Sequence, residues 1–454
     1  MFKRFKKQFP FIRLNPPQVL SIGFIVIIFL GSVLLSLPIA SADGTGQPYL
    51  DALFMSASAT CVTGLSVINT GEFYSFFGEI VLLLLVQIGG LGFMTMATLI
   101  ALVFRRKITF RERLILQEAM NHNSTEGIVR LIRKVLYYSL IIELTGAILL
   151  AIRWSFELPF KTALYFGVFH SISIFNNAGF DLFSSLKDRP GSLMHYVDDP
   201  FVNIISILLI VLGGIGFIVI SDLLTYRFNK KLSLHSKVVL SVSGILIAVG
   251  CLVIFVFEFT NTQSLQPLSP TGKILSSLFQ SVSSRSAGLN TLDIGSLRQG
   301  TQFFIIIMMF IGASPGSSGG GIKVTTFAIL VGAMIAMVRG KEDIVMFQRR
   351  IAGDRIYKAI TFTMISFLII VVFTMVLSTT ENFSFLGILF EVTSAYATAG
   401  MSLGLTPQLT SFGKMLIILL MFIGRLGPVT LAFSLTITPE KDHYRYPEGK
   451  ITIG

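Results

Sequence analysis

The sequence predicts an all-α polytopic membrane protein in which four pseudo-repeats of membrane helix, pore helix with filter loop, and membrane helix surround one central pore. Three observations carry that expectation. Hydrophobic residues make up 53% of the 454 residues and charged residues only 13%, with a mean hydropathy of +0.77, which leaves too little charge to cover a soluble surface of this size. Apolar runs of about 18 residues or more recur along the whole chain, long enough to cross a bilayer as helices. Finally, one short stretch is written four times: Cys61-Val-Thr-Gly64-Leu65, Asn176-Asn-Ala-Gly179-Phe180, Arg285-Ser-Ala-Gly288-Leu289 and Ala397-Thr-Ala-Gly400-Met401.

The net charge of +12 raises the question of a nucleic-acid partner, and its distribution excludes one. Most Lys and Arg fall in clusters at 1–13, 105–134, 227–237, 339–358 and beyond 435, whereas the connections at 43–51 and 188–199 are acidic or neutral. Basic clusters and poor loops alternate as the positive-inside rule requires, so the charge reports topology in a lipid bilayer. Both termini are expected on the cytoplasmic side of the cell membrane. Cys61 and Cys251 lie in different repeats and indicate neither a disulfide framework nor a metal site. The apolar stretch 19–37 is long enough to span and has no convincing cleavage site, so it reads as a retained first helix.

Taken in order, residues 1–16 are a basic cytoplasmic segment and 17–104 the first repeat. In that repeat a span at 17–37 is ended by Pro38, a half-span at 49–59 is too short to cross, and a loop at 60–65 leads to a return span at 78–104. Residues 105–127 form a basic cytoplasmic loop. The second repeat, 128–228, has its first span at 128–154, its half-span at 159–175 and its return span at 200–228. The third, 229–338, has 234–259, 271–284 and a long, broken return span at 302–338. After a second basic cytoplasmic loop at 339–355, the fourth repeat, 356–436, offers 356–378, 383–393 and 412–435, and 437–454 is a cytoplasmic tail. Eight full crossings result. Spacing supports the repeat: Gly64 to Gly89, Gly179 to Gly213, Gly288 to Gly312 and Gly400 to Gly424 are 25, 34, 24 and 24 residues apart, and the long step coincides with an insertion at 182–199.

Non-helical backbone at membrane depth is tolerated only where it is buried in protein or lines a water-filled path. The four loops are therefore expected to face inward together. A glycine in each permits backbone angles that turn successive carbonyls toward an axis. The candidate coordinating residues are Val62, Thr63 and Gly64; Asn177, Ala178 and Gly179; Ser286, Ala287 and Gly288; and Thr398, Ala399 and Gly400. Rings of carbonyls replace the hydration shell of an alkali cation. None of the four loops carries a carboxylate, which argues against calcium or magnesium. The competing reading is a set of re-entrant turns that pack a transporter core.

The third return span contains Gly312, Ala313, Ser314, Pro315, Gly316, Ser317, Ser318, Gly319, Gly320 and Gly321, a text that cannot form a regular helix. It is a candidate gate just under the filter, with a packing kink as the alternative. The neighbouring return spans show nothing comparable. Residues 316–323 nearly spell a phosphate-binding loop, but Ile322 separates the last glycine from Lys323 and no strand precedes it. Arg425 is a charge inside an apolar span, which ordinarily faces a cavity; it aligns with Ala313 and is expected beside the glycine-rich loop, the alternative being an arginine that snorkels to the surface. Lys323 either anchors the loop or reaches the interface. Arg285 is expected behind the filter. Glu143 and Asp222 are single buried carboxylates with no evident partner, available for a structural hydrogen bond or for a proton or sodium relay.

At these residues the chain resembles the membrane subunit of the Ktr/Trk/HKT superfamily of potassium transporters, closest to the bacterial Ktr type. The resemblance covers essentially the whole chain and rests on one glycine per loop, where tetrameric potassium channels carry Thr-Val-Gly-Tyr-Gly. It implies a potassium-channel-like fold, potassium uptake driven by the membrane potential, a short filter whose Gly64 favours potassium over sodium, and an arginine at position 425 that works with the intramembrane loop. It further implies a homodimer with one pore per subunit, a cytosolic ring of nucleotide-binding regulatory subunits, and sodium as an activator. No covalent cofactor is expected, and potassium is substrate. The five histidines are scattered and no HExxH or GxSxG motif occurs, so no enzyme is expected. The alternative function is a secondary cation carrier with broken helices and alternating access; four parallel repeats favour the pore.

Overall fold

The computed structural model describes residues 15–92, 95–96, 98, 108–119, 128–186 and 190–428. Almost all of the expected N-terminal segment, much of the 105–127 loop, the end of the fourth expected repeat and the 437–454 tail lie outside the described residues.

Several helices start where the sequence supplies a cap. Helix α1 (Pro16–Ser36) begins with Gln18 reaching back to the Asn15 amide at 2.9 Å and has proline in its first turn, where a missing N–H costs nothing; it stops before Pro38. It is followed by the short helix α2 (Tyr49–Thr60) and by α3 (Phe76–Leu91). The same succession continues with α4 (Ile128–Trp154), α5 (Phe160–Phe175) and α6 (Pro200–Gly214), and, after α7 (Phe217–Asn229), with α8 (Leu234–Glu258), α9 (Pro270–Ser283) and α10 (Gln299–Ile311). Helix α11 (Val324–Val338) precedes the last unit, α12 (Gly353–Thr380), α13 (Phe385–Ala397) and α14 (Ser411–Leu426). Ser269 and Ser384 cap α9 and α13, and Thr410 caps α14.

Within a unit the long helix packs on the short one: α1 on α2, α4 on α5, α8 on α9 and α12 on α13. In the first three, a serine on the short helix donates to a carbonyl of the long one: Ser56 to Ile28 at 2.7 Å, Ser171 to Glu143 at 2.7 Å and Ser281 to Ile247 at 2.8 Å. Between units the third helix of each packs on the short helix of the next, α3 on α5, α6 on α9 and α10 on α13, and α14 returns to α2. The chain thereby closes on itself. A Lys414 to Asp51 ion pair at 2.6 Å fastens the last unit to the first.

Apolar side chains such as Val26, Phe29, Leu144, Leu252, Phe367 and Leu368 are exposed on the long outer helices, while hydroxyls such as Ser56, Ser58, Thr60, Ser173 and Ser394 are fully buried. That inversion fits a lipid solvent outside and a polar interior. Among the described residues four helices, α1, α4, α8 and α12, are long and apolar enough to cross a membrane, and the bent pair α6 and α7 is a fifth candidate.

Two expectations are corrected. The return span at 200–228 is not continuous: α6 and α7 meet at 103°, because Gly216 takes φ +87° and leaves the helical ladder. The third return span is therefore not the only broken one. It consists of α10 and α11, shorter helices on either side of the glycine-rich segment, while α3 and α14 each run into a glycine at φ +82°, Gly92 and Gly427. A two-residue β-hairpin also lies in the 339–355 loop, β1 (Val345–Met346) paired with β2 (Arg349–Arg350). Its turn holds Phe347 and Gln348 at positive φ, the geometry that matches strand twist.

Candidate functional site: four loops and the segment beneath them

Each of the four repeated stretches follows the C-terminus of a short helix. In three of them the helix closes in the same way: Thr63 N–H donates to Ser58 at 2.8 Å, Ala178 to Ser173 at 2.8 Å and Ala399 to Ser394 at 2.9 Å. These bonds reach back five residues around one residue in the left-handed region, Val62 at φ +57°, Asn177 at +57° or Thr398 at +48°. The third loop differs. Ala287 donates to Ser283, four residues back, at 2.9 Å, and Ser286 is not left-handed.

The four glycines that end these turns stand against one another in cyclic order. A Cβ on Gly64 would overlap the Ala178 carbonyl oxygen, one on Gly179 would lie 2.7 Å from that of Ala287, one on Gly288 3.0 Å from that of Ala399, and one on Gly400 would overlap that of Thr63. All four glycines have positive φ, from +72° to +91°. No side chain fits at any of them, so glycine is required both by conformation and by close approach. Val62, Thr63, Asn177, Ala178, Ala287, Thr398 and Ala399 are fully buried around this ring, and Ser286 nearly so.

The glycines that set the repeat spacing have a separate task. Gly89, Gly213 and Gly424 lie against the carbonyls of Thr60, Phe175 and Tyr396, at the ends of α2, α5 and α13, where a Cβ would overlap the oxygen. Each return helix can therefore lie directly against the foot of its short helix. In the third unit the matching residue, Gly312, has φ +48° and opens the glycine-rich segment instead.

That segment lies against the ring. Gly320 N–H donates to Thr398 Oγ1 at 2.8 Å, Asn177 Nδ2 donates to Ser318 Oγ at 3.3 Å, and a Cβ on Gly319 would be 2.8 Å from that of Ser286. On its flank it bonds the break between α6 and α7: Ser314 N–H to Gly214 at 3.0 Å, Phe217 N–H to Gly316 at 3.1 Å, and Ser318 Oγ to Gly213 at 3.3 Å. Three cations hold it from elsewhere. Arg285 donates to the Gly312 carbonyl at 3.1 Å and Lys323 to that of Gly319 at 2.5 Å. The Arg425 guanidinium donates to the carbonyls of Ser318 and Gly89, and more weakly to Gly90 at 3.4 Å. It thus lies on the glycine-rich segment. Among the described residues none of the three cations has a carboxylate within ion-pairing distance, so main-chain dipoles carry the compensation. Arg285, Ser243 and Ser286 also line a cavity of about 20 Å³, room for about one water molecule.

The sequence missed the partners of Glu143. Its carboxylate accepts from Gln87 at 3.0 and 3.1 Å and from Asn176 at 3.2 Å, and Asn176 immediately precedes the left-handed Asn177. Asp222 accepts from Ser233 at 2.5 Å and from Ser236 at 2.6 Å, in the first turn of α8. Both carboxylates therefore make structural hydrogen bonds, one of the two roles expected of them, and Asp222 is half-buried instead of buried. The doubled glycines of residues 89–90 and 213–214 were the visible signal for the acceptor carbonyls, and only their spacing was read.

Comparison with known proteins adds to this geometry. The profile of the TrkH family, described as cation transport protein, matches residues 3–445. The chain is 43% identical to the Ktr system potassium uptake protein B of Bacillus subtilis, over 99% of each chain. It is 37% identical to the potassium/sodium uptake protein NtpJ of Enterococcus hirae, over 100% of this chain and 99% of that one. The fold is similar to the crystal structure of the potassium transporter TrkH from Vibrio parahaemolyticus, with a TM-score of 0.69, 22% identity, and 92% and 85% of the two chains covered.

Proposed function

Since the chain belongs to the TrkH family of cation transport proteins, and is a multi-pass membrane protein, we propose that it takes up potassium across the cell membrane as the membrane subunit of a Ktr-type system. The ion passes through one pore enclosed by a single chain, made of four pseudo-repeats, and sheds its water against carbonyls of residues 62–64, 177–179, 286–288 and 398–400. The observation that supports this reading most is the cyclic contact of Gly64, Gly179, Gly288 and Gly400 with one another's loops: loops merely packing a core need not meet head to tail. Carbonyl rings of this kind select alkali cations.

On this reading residues 312–321, held by Arg285, Lys323 and Arg425, are the gate. A loop tied by hydrogen bonds within a membrane protein can leave its place when those bonds find other partners. The basic cytoplasmic segments, including 105–127 and 339–355, face a cytosolic ring of nucleotide-binding subunits, two copies of the chain associate, both termini are cytoplasmic, and sodium activates; of this, the names of the relatives support potassium uptake as part of a Ktr-type system. Expression in a bacterium unable to grow on low potassium, with and without such a ring subunit, tests the proposal: rescue is expected, and failure with protein in the membrane overturns it. Flux in reconstituted vesicles separates a pore from a secondary carrier with alternating access, which would saturate at slow turnover.

A further inference from the structure

The third loop lacks one residue as well as the left-handed turn. From a serine near the end of the short helix to the glycine of its loop, Ser58 to Gly64, Ser173 to Gly179 and Ser394 to Gly400 are six residues apart, but Ser283 to Gly288 only five. Just past the glycine it still resembles the second loop, since Ser173 donates to the Phe180 carbonyl and Ser283 to that of Leu289. At the next residue the two part. The Asn290 N–H donates to Ser192 Oγ at 2.8 Å, and the Asn290 carbonyl accepts from the Leu193 N–H at 3.1 Å. Both backbone groups of Asn290 are thus taken by the second unit. The exits of the other loops bond within their own units: Ser66 donates to Ile68, Asp181 accepts from Phe183 at 3.0 Å, and Ser402 donates to Glu391.

Ser192 and Leu193 lie on an arm at 190–199, part of the insertion that lengthens the second unit. The arm is fixed at its root: Arg153 of α4 pairs with Asp199 at 2.6 Å, and Asn203 of α6 donates to the Tyr196 carbonyl at 2.7 Å. Ser269, the cap of α9, donates to Asp198 at 2.5 Å, so the arm grips the third unit at the start of its short helix and again beyond the loop. Ser192 is buried and holds φ +60°. Left-handed backbone is disfavoured for a residue with a Cβ and persists only where the surroundings over-determine it. Glycine would adopt that angle freely, but it has no oxygen for the Asn290 amide. We propose that Ser192 is a positioning residue for ion discrimination: the arm supplies from the neighbouring unit the restraint that the third loop lacks, and holds the carbonyls of Ala287 and Gly288 where they favour potassium over sodium. The inference rests on the pore reading above. The arm bonds the loop beyond Gly288, whereas the glycine-rich segment lies against Ser286 ahead of it. None of the arm's bonds to Asn290 involves the segment, so the hold remains when the segment moves and the path conducts.

Two substitutions on the arm test this. Ser192→Gly removes the acceptor of the Asn290 amide and puts at φ +60° a residue that adopts it without strain, so the arm keeps its course. His195→Ala removes an exposed side chain of the same arm, whose ring lies 5.2 Å from that of Tyr196, and leaves both bonds to Asn290 in place. In vesicles carrying the full chain, with potassium and sodium uptake measured in competition, Ser192→Gly is expected to raise the sodium to potassium ratio about threefold to tenfold, the equivalent of one lost hydrogen bond. His195→Ala is expected to leave the ratio unaltered. Uptake is carried by conducting protein alone, so the ratio reports the ring in that state. Equal ratios for Ser192→Gly and the unsubstituted protein overturn the inference, as does an equal shift in His195→Ala. Should Ser192→Gly not reach the membrane, Ser192→Ala, which also lacks the oxygen, decides in its place. Absence of potassium flux in the unsubstituted protein takes down the pore reading itself, a distinct result.

Discussion

The ring of loops and the segment beneath it are both written in small residues, yet they are fixed by opposite means. The ring is held by missing atoms: Gly64, Gly179, Gly288 and Gly400 each touch a neighbouring loop where a Cβ has no room. The segment is held by long side chains, since Arg285, Lys323 and Arg425 reach across to its carbonyls. Close-packed backbone is costly to rearrange. Hydrogen bonds can be exchanged for others, because each charge-assisted one contributes only about 1.5 to 3 kcal/mol net. Composition alone would have made the two regions look alike; what differs is whether the glycine serves contact or freedom.

Substitutions can break that contrast or sharpen it. The largest effect is expected at Gly400→Ala, where the new Cβ overlaps the Thr63 carbonyl at φ +78°. Potassium uptake should fall about a hundredfold or more, as overpacking by several kcal/mol requires, with the protein still detected in the membrane. Next, Gly64→Ser should relax the preference for potassium over sodium in competition uptake, because Ala178 must shift; unchanged selectivity would remove residues 62–64 from the filter. Arg425→Ala should do the reverse of Gly400→Ala and raise flux in vesicles about tenfold, since charge-assisted bonds to Ser318 and Gly89 are lost. A short deletion within 316–321 should act in the same direction. Gly216→Ala puts a Cβ 2.6 Å from the Pro315 carbonyl and should raise flux by a smaller factor, which would tie the α6 to α7 break to the segment. The smallest effect is expected at Glu143→Gln, which keeps an acceptor for Gln87 or Asn176: uptake should change by about twofold at most, and a large loss would point to a proton or ion relay at Glu143.

Much of the framework was legible because it depends on periodicity. Apolar runs, half-spans and the repeated glycine text identified the order of elements, and the steps from Gly64 to Gly89 and from Gly400 to Gly424 reflect real contacts, with Gly89 and Gly424 lying at the feet of α2 and α13. The placement of Arg425 on the glycine-rich segment followed from its alignment with Ala313. The break at Gly216 was not legible, since a glycine that permits close approach and one that ends a helix are spelled alike: Gly213 lies inside α6 and Gly216 outside it. Partners contributed by distant chain, such as Gln87 to Glu143, leave no local signal at all. Nor did the hairpin at 345–350, whose strands of two residues are shorter than any alternation that could be read.

The departure of the third loop from the other three carries a consequence for why this wall is a single polypeptide. In an assembly of identical subunits every feature is copied, and four ten-residue segments would compete for the space beside one ring. Gene-encoded inequality among the quarters lets one of them give up the regular turn at Ser286, while its siblings keep theirs, two of them bonding the lone segment through Asn177 and Thr398.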